Sequence, residues 1–61
     1  MPFIEVKMWK GRTPDQKKTL IEKLTQATCD SVGCPKDAVS IVIEDVDKEN
    51  WGKAGIPASE Q

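Results

Sequence analysis

The sequence contains no histidine and only two cysteines, Cys29 and Cys34. Two thiolates cannot fill a tetrahedral zinc site, so this composition argues against a protein-bound metal. Two cysteines are also too few for the disulfide framework of a small secreted domain. We therefore expect no metal and no disulfide, with both cysteines reduced and partly buried.

Other features are missing too. No apolar run approaches the ~20 residues that a membrane-spanning helix needs. The N-terminus lacks the basic and apolar regions of a signal peptide. The net charge is −1, with both signs spread along the chain and no basic stripe of the kind that binds nucleic acid. These absences favour a cytoplasmic protein that binds neither membranes nor nucleic acid.

The chain is short as well. Its 61 residues leave room for a single domain, residues 1–61. Chains below ~70–80 residues usually need disulfides, a metal or oligomerisation to be stable. Because the first two are disfavoured, we expect this domain to be stabilised by oligomerisation.

Two segments with alternating or β-branched side chains, and one with helical periodicity, predict an α+β fold. Residues 3–9 alternate between apolar and polar side chains and predict a half-buried strand. Residues 39–46 are rich in β-branched side chains and predict a second strand. A helix is predicted between them, at about residues 14–32. The crossover of such a β-α-β unit is right-handed in nearly all cases, so the two strands should be parallel.

The predicted helix has signals at both ends. Thr13 can cap its N-terminus, Pro14 suits the first helical position, and Gln16 completes a capping box. Gly33 can end the helix in a left-handed conformation, and Pro35 prevents its resumption. The predicted apolar stripe comprises Leu20, Ile21, Leu24, Ala27, Thr28 and Ser31.

The C-terminal segment, residues 51–57, contains two glycines and a proline, which predict a turn and a short ribbon. Trp51 and Ile56 are more apolar than a solvated tail requires. We expect an arm that packs on a neighbouring subunit; a frayed terminus is the alternative. A two-stranded sheet with one helix also leaves a face and both edges uncovered. Both observations favour a homo-oligomer with closed symmetry.

The first two residues carry the main indication of chemistry. Removal of Met1 is expected because proline is small, and it would leave a secondary amine in front of Phe3 and Ile4. An ordinary α-amino group titrates near ~7.7–8.0, and apolar burial lowers its pKa. Pro2 could then act as a general base near neutral pH. With Met1 retained, its nitrogen is a tertiary amide and cannot, and Pro2 would be only an edge-strand residue.

Several features occur together over nearly the whole chain. Met1-Pro2-Phe3-Ile4 opens the first strand, Gly11-Arg12-Thr13-x-x-Gln16-Lys17 opens the helix, and Trp51-Gly52 stands near the end. This combination at this length resembles the 4-oxalocrotonate tautomerase family, the short members of the tautomerase superfamily. The resemblance implies a cofactor-free isomerase, assembled as a hexamer, that moves a proton between oxygen and carbon of an enol or dienol.

The resemblance also implies roles for individual residues. Pro2 is expected to be the general base, and Arg12, the only arginine, is expected to hold a substrate carboxylate in a bidentate fork. Trp51 is expected to shape the apolar pocket that lowers the proline pKa, and Trp9 to line the same pocket. In a hexamer of this kind, Arg12 and Trp51 can come from chains other than the one that donates Pro2.

One position departs from the family pattern. The best-studied members carry a second arginine in the second strand, which helps polarise the substrate carbonyl, and the matching position here is Ser40. A dicarboxylate such as 2-hydroxymuconate is therefore less strongly implied, and a monocarboxylate of the phenylenolpyruvate kind fits as well. Lys7 and Lys53 are the candidates for a substitute cation.

Two other functions remain open. Relatives in the superfamily use the same proline to add water to haloacrylates or to decarboxylate a semialdehyde. Those reactions need further polar groups, for which Glu5 on the polar strand face is a weak candidate. The other hypothesis is a non-catalytic oligomeric module that has kept the fold, and the absence of the second arginine at Ser40 is its only support.

Overall fold

The computed structural model describes residues 1–61 and consists of a β-α-β unit followed by a short ribbon. Strand β1 (Phe3–Trp9) leads into helix α1 (Pro14–Val32), and the chain returns through strand β2 (Ser40–Val46). Strands β1 and β2 pair in parallel along their whole length. This confirms the predicted α+β fold, with the second strand beginning one residue later than expected.

Helix α1 begins and ends where its capping residues predict. The Thr13 hydroxyl accepts a hydrogen bond from the Gln16 N–H at 3.1 Å, and the Gln16 side chain accepts one from the Thr13 N–H at 2.9 Å. At the other end, Gly33 adopts a left-handed φ of 73°, and its N–H donates to the Cys29 carbonyl at 2.9 Å. Both ends of the helix therefore have partners for backbone groups that the helix leaves unpaired.

Replacing the N-terminal cap should weaken the protein measurably. We expect Thr13→Ala to lower the free energy of unfolding by about 1 kcal/mol per protomer, because the Gln16 N–H loses its acceptor. Thr13→Ser keeps a hydroxyl and should stay close to wild type. Urea unfolding at one fixed protomer concentration measures both variants. Equal stability of the alanine and serine variants would show that the hydroxyl contributes nothing.

The helix covers one face of the strand pair. Half-buried side chains from both strands lie on this face: Ile4, Val6, Met8, Ile41 and Ile43. From the helix, Leu20, Leu24 and Thr28 are half-buried as predicted. Ile21, Ala27 and Ser31 are exposed, so their predicted place in the stripe is wrong. The half-buried stripe instead includes Lys17, whose Nζ pairs with the Asp45 carboxylate at 2.5 Å.

The C-terminal ribbon consists of β3 (Gly52–Lys53) and β4 (Ile56–Pro57), paired antiparallel. Ala54 and Gly55 form the tight turn between them, with φ values of 55° and 81°. Positive φ at both central residues is typical of the hairpin turn whose twist matches that of the flanking strands. The Ala58 N–H then donates to the Trp51 carbonyl at 2.7 Å, which ties the ribbon back to the aromatic residue before it.

The isolated chain has almost no interior. Ala58 is the one residue of 61 that is buried. The radius of gyration is 14.3 Å, whereas a compact domain of this length has about 10.5 Å. Large apolar side chains remain exposed on the sheet and helix, among them Phe3 at 62% and Val32 at 64%. No helix is long and apolar enough to cross a membrane.

Candidate active site

Pro2 and Ser40 lie together at the N-terminal end of the strand pair. The Ser40 N–H donates to the Pro2 carbonyl at 3.0 Å, and Ser40 is paired in register with Phe3. Pro2 is half-buried, whereas Met1 is 95% exposed. Because the ladder holds the Pro2 carbonyl, the position of the proline ring is fixed by the sheet. Met1 extends beyond it into solvent.

Trp9 and Trp51 lie together at the opposite, C-terminal end of β1. Their ring centroids are 6.1 Å apart at an interplanar angle of 79°, an edge-to-face contact. Such contacts stabilise beyond the area they bury. The Lys48 Nζ lies 4.8 Å from the centroid of the Trp9 ring. The structure therefore brings the two predicted pocket residues together and adds a lysine that the sequence did not indicate.

Arg12 follows the turn at Gly11, just before the helix, and its side chain is exposed. Gly11 has a φ of 125°, which only glycine adopts readily. Arg12 borders a shallow depression of about 190 Å³ whose other lining residues are Met8, Gln16, Lys17 and Leu20. The guanidinium makes no ion pair within the chain. It is therefore free to bind an anion.

The predicted site residues do not form one site within a single chain. A strand rises ~3.3 Å per residue, so Pro2 and Trp9 are roughly 20 Å apart along β1. Arg12 and Trp51 belong to the Trp9 end, and Ser40 belongs to the Pro2 end. A site that uses Pro2 together with Arg12 therefore needs residues from at least two chains.

The larger surface depression is not this site. It measures about 480 Å³ and includes Trp51, but neither Pro2 nor Arg12 borders it. Three of its lining residues, Glu44, Asp45 and Asp47, are acidic. Each of these carboxylates pairs with a lysine, and Lys7, the one cation that lines the depression, is among those lysines. The depression therefore offers no unpaired cation to a substrate carboxylate.

Lys7, one of the two lysines considered as a substitute cation, is already paired. Its Nζ lies 2.5 Å from a Glu44 carboxylate oxygen on the neighbouring strand. The hydrogen bond that Lys7 donates to Glu44 raises the pKa of Lys7, and the negative charges of Glu44 and, to a smaller extent, Glu5 raise it further. Lys53, the other candidate, lies in β3 and has no acidic partner.

The fold of the chain is that of small tautomerases. A 4-oxalocrotonate tautomerase isozyme from Methylibium petroleiphilum superposes with a TM-score of 0.91 at 48% identity, covering 95% of this chain and 94% of that one. A heterohexameric 4-oxalocrotonate tautomerase from Chloroflexus aurantiacus superposes with a TM-score of 0.94 at 28% identity, covering 98% of this chain and 97% of that one.

Sequence comparison agrees with the fold. The chain matches the Tautomerase family, described as tautomerase enzyme, over residues 2–60. It is 50% identical over 60 residues to the 2-hydroxymuconate tautomerase of Comamonas testosteroni, which covers 98% of this chain and 95% of that protein. The chain therefore belongs to the tautomerase family and is an isomerase, as its N-terminal and helix-opening motifs predict.

Proposed function

We propose that this enzyme is a cofactor-free tautomerase that converts 2-hydroxy-dienoates, or enols of 2-keto acids, into their keto forms. Pro2, freed by removal of Met1, is the general base, and Arg12 binds a carboxylate of the substrate. The observation that carries the proposal is the 50% identity, across nearly the whole chain, to a 2-hydroxymuconate tautomerase.

The proposed reaction moves a single proton from an oxygen atom to a carbon atom of the substrate. The Pro2 nitrogen takes the proton of the substrate hydroxyl, and the electron pair of the O–H bond forms the carbonyl. The double bonds shift along the chain, and the Pro2 ammonium returns the proton to a carbon atom. Atoms and electrons balance without an oxidant or a second substrate. The apolar surroundings contributed by Trp9 and Trp51 would lower the pKa of the proline and keep its nitrogen unprotonated near neutral pH.

We propose that the active form is a homo-oligomer, and specifically a hexamer. The nearly coreless protomer and its exposed apolar side chains support assembly. The distance between Pro2 and Arg12 supports a site shared between chains. The heterohexameric relative from Chloroflexus aurantiacus is consistent with six subunits. In this assembly Trp51 and its ribbon form the arm that packs on a neighbour.

We propose the cytoplasm as its location, because the two half-buried, free cysteines suit a reducing compartment. For the substrate, the relative from Comamonas favours 2-hydroxymuconate, a dicarboxylate. Ser40 in place of the second family arginine favours a monocarboxylate such as phenylenolpyruvate. The two substrates therefore belong in the same assay.

Ultraviolet monitoring of ketonisation tests the proposed function directly. We expect the processed protein to accelerate ketonisation of at least one of the two enols well above the uncatalysed rate. Intact and native mass spectrometry of the same sample checks loss of Met1 and counts the subunits. Rates equal to the uncatalysed rate with both enols would contradict the proposal. Chloride release from 3-chloroacrylate in that case would identify a dehalogenase, and its absence would favour a non-catalytic module.

A further inference from the structure

Some lysines of the chain pair with a carboxylate, and others do not. Three of the lysines form ion pairs: Lys7 with Glu44 at 2.5 Å, Lys17 with Asp45 at 2.5 Å and Lys10 with Asp47 at 3.6 Å. The remaining five have no acidic partner within the chain. Of these five, Lys48 is the one whose ammonium contacts an aromatic ring of the proposed pocket.

Local folding brings Lys48 to this place. A short 3-10 helix, Lys48–Asn50, follows β2 and reverses the chain towards the end of β1. The Trp51 N–H donates to the Lys48 carbonyl at 3.2 Å, which fixes the lysine backbone relative to Trp51. The Lys48 Nζ then lies 4.8 Å from the centre of the Trp9 ring. Lys48 thus contacts both tryptophans: its carbonyl accepts a hydrogen bond from Trp51, and its ammonium lies over the ring of Trp9.

The charge of Lys48 stays available to a ligand. A cation over an aromatic face is attracted by the ring but is not neutralised by it. Of its two acidic neighbours in sequence, Asp47 pairs with Lys10, and Glu49 makes no ion pair with Lys48. The Lys48 side chain is exposed, so a carboxylate can approach the ammonium from the side away from the ring.

We propose that Lys48 is a substrate-binding residue that holds the second carboxylate of a dicarboxylic enol, at the end of the protomer opposite Ser40. The inference rests on the proposed tautomerase function. Arg12 and Lys48 both belong to the Trp9 end of the protomer. This end therefore offers two cations without an acidic partner in the chain, one for each carboxylate of a dicarboxylic substrate. The chain can accept a dicarboxylate although it has a single arginine.

The charge-removing variant Lys48→Met tests this assignment with two substrates. We expect kcat/KM for 2-hydroxymuconate to fall about tenfold, chiefly through KM, because one charge-assisted hydrogen bond is lost. The rate with phenylenolpyruvate, which has one carboxylate, should stay within about twofold of wild type. Lys48→Arg keeps the charge and should restore most of the lost activity. Lys23→Met, on the outer face of α1, is the matched control.

Tryptophan fluorescence provides a measurement that does not depend on catalysis. Trp9 and Trp51 are the only tryptophans, so their emission reports on the site. Muconate has both carboxylates but no 2-hydroxyl, and therefore cannot ketonise. We expect muconate to quench the emission and to bind about tenfold more weakly to Lys48→Met than to wild type.

Several results would overturn the assignment of Lys48. Equal losses with both enols would mean that the lysine only supports Trp9. Unchanged kinetics with the dicarboxylate, absence of muconate binding to wild type, or a selective loss in Lys53→Met instead would each remove its role. Failure of the proposed function looks different: wild type would ketonise neither enol. The effect of Lys48→Met on muconate binding would still decide whether Lys48 binds a dicarboxylate.

Discussion

Protein that retains Met1 should ketonise its enol substrate at least about 100-fold more slowly than the processed chain, because general-base catalysis is lost. In the retained form the Pro2 nitrogen is an amide and has no basic electron pair. The Met1 amine is one residue further away, and a base that is misplaced by even 1 Å loses most of its effect. Expression without methionine aminopeptidase gives the retained form, and intact mass confirms it.

Pro2→Ala is the matched variant for this experiment. Alanine is also small, so Met1 should still be removed, and a primary amine remains at nearly the same place. We expect activity between those of the processed wild type and the Met1-retaining protein. The secondary amine and the rigid ring are lost, but a base is still present. Full activity in the Met1-retaining protein would exclude Pro2 as the base.

Mixing two impaired variants should raise activity above that of either variant alone. Arg12→Ala removes the bidentate carboxylate contact and should lower kcat/KM by about 10- to 100-fold. Pro2→Ala is defective at the other end of the sheet. If a site takes Pro2 from one chain and Arg12 from another, random co-assembly at equal amounts gives about one quarter of sites with both native residues. Denaturing and refolding the mixture should therefore recover about one quarter of wild-type activity.

The controls show whether Pro2 and Arg12 of one site come from the same chain or from two chains. The same variants mixed without denaturation give the baseline before subunits exchange. If one chain supplied both residues, every chain in the mixture would carry a defect and refolding would restore nothing. Arg12→Lys keeps the charge but not the fork, so it should fall between wild type and Arg12→Ala.

Local patterns in the sequence were enough to predict the β-α-β unit. The capping box of Thr13 and Gln16 and the left-handed Gly33 confirm both predicted ends of α1. These ends could be predicted because each capping interaction involves only a few neighbouring residues. The apolar stripe was predicted less well. Periodicity alone places Ile21, Ala27 and Ser31 in the stripe, but the helix faces the sheet along Leu20 and Leu24. Which face is buried depends on tertiary packing, which helical spacing does not contain.

The candidate site was harder to predict because it depends on contacts between distant residues. Pro2 and Arg12 are ten positions apart in the sequence, yet an extended strand separates them in space. No pattern in the sequence indicated a role for Lys48, because its contact with Trp9 joins residues 39 positions apart. The sequence also could not show that Lys7, a candidate substitute cation, is already paired. The structure places its ammonium against Glu44 on the neighbouring strand. Such contacts follow from strand pairing and chain reversal.

The placement of Pro2 and Arg12 at opposite ends of one strand also has a genetic consequence. In the proposed assembly each protomer gives its proline to one site and its arginine to another. A subunit with both residues mutated would then damage two sites while still occupying a place in the oligomer. Co-expressed with the normal protein, it should act as a dominant inhibitor, whereas either single mutant should behave more nearly as a recessive one.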